Sequence, residues 1–187
     1  MQIARCTAVA AVLALAGHSA AQTAAPHPPQ SAQEHEVKAA FLLKFLPFIE
    51  WPAGSFAGAE APIVVGVLGS EEIAADFEAL AEGRAVQGRA VEMRRLKPGE
   101  APADLQVLFV GRSQEGRLAE LARAVRGRPV LVVSESPGAL DAGSMVNFIV
   151  AGGRVRFEVS LEAAERAGLR ISSRMLSVAA SVRPARP

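Results

Sequence analysis

IVVGVLGSEEIAADFEALA, Ile63 to Ala81, is the stretch that decides the fold. Ile63 to Leu68 is a short, continuous apolar run rich in β-branched residues, which reads as a buried strand. Gly69 turns the chain. Ser70 can cap a helix, and Glu71 and Glu72 in its first turn suit the positive end of the helix dipole. A strand leading through a tight turn into a capped helix is the repeating unit of an α/β sheet.

The same alternation continues downstream. Ala90 to Leu96 is a more polar strand, suited to a sheet edge. Val107 to Val110 is a second buried strand. Arg112-Ser113 leads into a helix to about Arg126, with Leu118, Leu121 and Val125 turned inward. Pro129 to Val133 is a further strand, closed by the turn Ser136-Pro137-Gly138. Ser144 to Val150 and Arg154 to Val159 then form a hairpin across Gly152-Gly153. Val155, Phe157 and Val159 point to one face, and Arg154, Arg156 and Glu158 to the other. Ser160 caps a short helix closed by Gly168, and Ser172 or Ser173 starts a last helix through Val182. The expected fold is α/β: a single three-layer α/β/α domain with a mixed parallel/antiparallel sheet and a C-terminal β-hairpin followed by helices.

Upstream, Val37, Ala40, Phe41, Phe45 and Phe48 follow helical spacing, while Leu42, Leu43, Leu46 and Ile49 cover the other faces. A helix apolar nearly all round is buried or docks a partner. Pro47 ends or kinks it. Thr23 to Gln33 is Pro- and Ala-rich and reads as disordered. Residues 1–21 read as an export signal, with Arg5 as its positive region, Ala8 to Ala16 as a short apolar core and Ser19-Ala20-Ala21 as the cleavage site. The expected organisation is a signal peptide at 1–21, a linker at 22–34, the domain at 35–182 and a flexible tail at 183–187.

This organisation bounds the chemistry. The single cysteine, Cys6, leaves with the signal, so no intrachain disulfide, thiol nucleophile or thiolate zinc site is expected. Removing Arg5 leaves 19 basic residues against 19 acidic ones, with no surplus for nucleic acid. After export His27 and His35 are the only histidines, both in or beside the linker, which is poor ground for a triad or a metal site. Gly66-x-x-Gly69 lacks the rest of a phosphate-loop fingerprint, and Glu71 and Glu72 would repel an anion there. No catalytic, cofactor or metal residue is expected, and no enzyme activity. No later segment is apolar for long enough to cross a membrane.

Four stretches resemble the YfiR family of periplasmic regulators: VKAAFLLKFLPFIEWP (Val37–Pro52), VLFVG (Val107–Gly111), PVLVVSESPG (Pro129–Gly138) and GSMVNFIVAGGRVRFEVSLEAAERAGLRISSRMLSVA (Gly143–Ala179). The resemblance covers roughly Glu36 to Val182. It implies a non-enzymatic periplasmic protein that binds the periplasmic sensor domain of an inner-membrane signalling protein. That partner would be a YfiN-type diguanylate cyclase of the GGDEF class or a histidine kinase. It further implies repression of cyclic-di-GMP output, and domains that can form a homodimer. Three departures stand out. Leu105 stands where the family often shows Cys, so disulfide redox sensing is excluded. Ser160 replaces a common Asn, and Pro47 interrupts the first helix.

A regulator of this kind must bind one state of its partner better than another. A modest apolar patch with a charged rim suits reversible docking. The expected partner surface comprises the helix from Val37 to Phe48, Trp51, the second hairpin strand and the terminal helix, with Phe45, Trp51, Arg156, Phe157, Glu158 and Leu176 as its contact residues. The alternative function is a soluble periplasmic small-molecule-binding protein, whose pocket would be lined by Arg154, Arg156 and Ser134.

Overall fold

The computed structural model describes residues 30–185. The expected signal peptide and the first part of the expected linker lie outside those residues. Helix α1 spans Gln30–Phe45, so it begins inside the segment read as linker. It stops before Pro47, which sits in a 3-10 turn, Leu46–Phe48, where its missing N–H costs nothing. The next elements are β1 (Ile49–Glu50), β2 (Ile63–Leu68), α2 (Glu71–Ala81), β3 (Ala85–Val86), β4 (Arg89–Arg95) and β5 (Val107–Val110). A 3-10 segment, Arg112–Arg117, then leads into α3 (Leu118–Ala124), followed by β6 (Leu131–Ser134), β7 (Val146–Ala151) and β8 (Arg154–Ser160). The chain continues with α4 (Leu161–Arg166), β9 (Arg170–Ile171), α5 (Ser173–Leu176) and β10 (Ser181–Arg183).

The main sheet has the order β10-β8-β7-β6-β5-β2-β4-β3. Strands β4, β2, β5, β6 and β7 run parallel, and β8 returns antiparallel to β7. The mixed sheet expected from the sequence is therefore present. The chain moves outward from β2 to β4 through α2, then from β5 to β6 through α3 in the opposite direction. Right-handed crossovers place those two helices on opposite faces. Helix α1 packs against α2 and shares its layer. Helix α4 shares a cavity with α3 on the other face. The result is three layers.

Local chemistry explains the joints. Ser70 Oγ accepts the Ile73 N–H at 3.3 Å, and Ser160 Oγ accepts the Ala163 N–H at 3.3 Å, so both expected caps form. Gly152 and Gly153 both take positive φ, 59° and 70°, as a two-residue hairpin turn of this hand requires. The hairpin register opposes Phe148 to Phe157 and Val150 to Val155. That pairing aligns one apolar row under α1.

Two terminal expectations are corrected. The last helix does not run through Val182. It makes a single turn, Ser173–Leu176, after which Ala180 N–H donates to the Phe157 carbonyl and β10 adds in parallel to β8. Satisfying the open edge of β8 overrides the helical propensity of the alanines. Arg183, expected to fray, pairs in that strand opposite Ser160 and holds Asp141 through both carboxylate oxygens.

Candidate functional site

The first place to look in an open α/β sheet is the crevice at the carboxyl ends of the strands where the topology reverses, here between β2 and β5. That crevice is closed. Gly111 N–H donates to the Leu68 carbonyl at 2.7 Å, and Ser113 Oγ donates to the Gly69 carbonyl at 2.7 Å. A Cβ on Gly111 would lie 2.5 Å from the Gly69 oxygen, so only glycine allows the two backbones to meet this closely.

Beside it lies a buried ion cluster. Lys38 is 2 % exposed, and its Nζ sits 2.5 Å from both Glu34 Oε1 and Glu135 Oε2. Glu135 is 8 % exposed and also accepts the Arg112 backbone N–H at 3.1 Å. The cluster pins the first half of α1 to the loops that follow β5 and β6. Charges this deep remain only when paired and hydrogen-bonded. The sequence reading missed both residues. A lysine inside an apolar helix, four residues after Glu34, was the available signal for one; Glu135 carries no local signal.

The six expected contact residues do not form one surface. Phe45 and Phe157 are core residues, 3 % and 2 % exposed. Their rings meet edge to face at 4.8 Å, and Phe41 and Phe148 complete the cluster. In this conformation a partner cannot reach either one directly. Arg156 is exposed and Glu158 half-buried, with Glu158 Oε1 accepting the Ser181 hydroxyl at 3.0 Å. Both project from the sheet face opposite α1, because neighbours along a strand alternate. Trp51 is half-buried against Phe56, at 6.0 Å between centroids, and its indole Nε1 has no hydrogen-bond partner among the described residues. Leu176 is half-buried against the core. The Arg154, Arg156 and Ser134 pocket does not form either: Ser134 is fully buried, with its hydroxyl donated to the Val110 carbonyl.

What α1 and the hairpin do build is a groove of about 350 Å³ at the hairpin tip. Val37, Phe41, Val150 and Val155 line it, with Glu34 and Arg154 at its rim. Val37 is 40 % and Val150 49 % exposed, so apolar surface faces water here. Val37 neighbours Lys38 in sequence, so the buried ion cluster fixes the helical wall of this groove. The side chains suit apolar docking with charge at the rim.

Among the described residues no three or more His, Cys, Asp or Glu side chains gather as a metal site. No described helix is long and apolar enough to cross a membrane. The fold is an α/β domain built on a mixed sheet. The YfiR/HmsC-like family model matches residues 35–180, and the chain belongs to that family. Membership places it in a class linked to periplasmic regulation of cyclic-di-GMP signalling.

No curated protein matches the sequence. Among solved structures, an ABC domain from Streptococcus pneumonia in complex with L-Trp is similar, with 10% identity and a TM-score of 0.54. A conserved domain protein from Vibrio cholerae O1 biovar eltor has 13% identity and a TM-score of 0.49. Each comparison covers 80% of this chain and 60% of the other, so the chain spans less than two thirds of their length. The likeness to the first shows the α/β fold alone.

Proposed function

We propose that this protein is a periplasmic regulator that binds the periplasmic sensor domain of an inner-membrane signalling protein and represses its output. The partner is a GGDEF-type diguanylate cyclase or a sensor histidine kinase, and the output is cyclic-di-GMP signalling. The observation that carries this reading is the family match over residues 35–180. The groove between α1 and the hairpin supports a docking role, because Val37 and Val150 expose apolar surface beside the charged rim of Glu34 and Arg154. Repression then follows from binding the inactive state of the partner more tightly than the active one.

The test is a pull-down of the exported protein from its own envelope extract, comparing wild type with Val150→Glu and Arg156→Glu. Circular dichroism first establishes that both variants fold. Recovery of a GGDEF or kinase sensor by wild type, lost with Val150→Glu and kept with Arg156→Glu, supports the reading and the groove. Loss with Arg156→Glu alone moves docking to the opposite face. Recovery of no membrane sensor by wild type overturns the reading.

A further inference from the structure

On the face opposite the groove, a cavity of about 310 Å³ opens between α3, α4 and the loop from Leu140 to Met145. Its floor is apolar: Val132, Leu140 and Met145 are all buried. Three arginines line it, Arg123, Arg126 and Arg166. Their partners differ. Arg166 pairs with Glu162 at 3.0 Å, and Arg123 Nε donates to the Ala119 carbonyl of its own helix at 2.9 Å. The Arg126 side chain makes no hydrogen bond or ion pair among the described residues. Asp141 is the one acidic residue in the lining, and Arg183 already neutralises it through both oxygens.

Arginines at the ends of α3 and α4 also suit the negative ends of those helix dipoles. Each of these helices has at most seven residues, and all three arginines line the same cavity above a buried apolar floor. A cavity of this size with an apolar floor and a few convergent polar groups has the usual character of a small-molecule site. Guanidinium forks match the geometry of carboxylates in particular.

We infer that this cavity is a binding site for a small organic carboxylate with an apolar body, its carboxylate held by Arg126 and Arg166 and its body resting on Val132, Leu140 and Met145. The site is separate from the docking groove, and its occupancy does not depend on any partner.

Isothermal titration of the purified protein with phenylacetate and octanoate tests it, with phenylacetamide and octanamide as uncharged controls. Saturable binding of the acids and not the amides is expected. Arg126→Gln should weaken it roughly tenfold, the loss of one charge-assisted hydrogen bond. Ala167→Leu narrows the lined space without touching a charge, and should weaken the larger acid more. Methyl shifts at Val132 and Met145 should accompany binding. Amides binding as well as acids, affinity unchanged in both variants, or no saturable binding at millimolar concentrations would each overturn the inference.

Discussion

Replacing Lys38 by Met leaves the apolar volume of the side chain and removes its charge. The ammonium is the shared counter-ion of Glu34 and Glu135, at 2.5 Å from each. The two carboxylates differ in what happens next. Glu34 has 27% side-chain exposure and regains water. Glu135 has 8% and keeps only the Arg112 N–H, together with its negative charge. Removing one member of a buried pair costs about 3–5 kcal/mol, mostly through the charge left behind. The retained N–H and the solvated Glu34 place this case at the lower end, about 3 kcal/mol. For a domain of this size that corresponds to a fall in Tm of roughly 6–12 °C. Urea unfolding followed by circular dichroism measures it. The double variant Lys38→Met, Glu135→Gln should recover about 1–2 kcal/mol, since it removes the stranded charge. A single variant within about 1 kcal/mol of wild type, or a double variant no more stable than the single, would refute the reasoning.

Three further outcomes follow from the packing. Phe157→Ala should cost about 3–5 kcal/mol, because it removes a buried ring packed on both Phe41 and Phe45, while Arg156→Glu on the exposed face should stay within about 0.5 kcal/mol; thermal melts separate them. Gly111→Ala should destabilise by about 1–3 kcal/mol, since its Cβ meets the Gly69 carbonyl and neither backbone can yield; a melt no lower than wild type would show that the closed crevice has slack. The Arg183 guanidinium, by hydrogen bonding and then by charge, holds the Asp141 carboxyl below its ordinary value of 3.8. A carboxylate with a lowered folded pKa stabilises the fold above that ordinary value, and the contribution fades as pH falls through the lowered one. Protection of the Val182 and Arg183 amides, taken relative to their intrinsic exchange at each pH, should therefore hold from neutral pH down to the ordinary aspartate range and fall only below it; Asp141→Asn should lower it at neutral pH.

The parts of the fold that local chemistry determines were legible. β-branched runs marked β2, β5 and β6, two serines marked helix starts, and Gly152-Gly153 marked the hairpin. The α/β class follows from those alone. What stayed hidden depended on contacts distant in sequence. β10 exists because β8 has an open edge, a fact absent from the alanine-rich segment itself. Helix α1 is apolar on nearly every side, so its sequence cannot say that Phe45 faces Phe157 while Val37 faces water. The same ambiguity put buried and exposed residues into one expected surface. Strand alternation correctly separated Phe157 from Arg156 and Glu158, but which row lay under a helix was settled only by the layers.

The most direct test of partner docking is site-specific photo-crosslinking in living cells. A photoreactive side chain at Val150, in the groove, is compared with one at Lys97, an exposed position outside the groove lining. An adduct from Val150, identified by mass spectrometry as a membrane protein carrying a GGDEF or histidine-kinase domain and absent from Lys97, is the predicted result. No such adduct, or equal yield from both positions, would contradict docking through this groove.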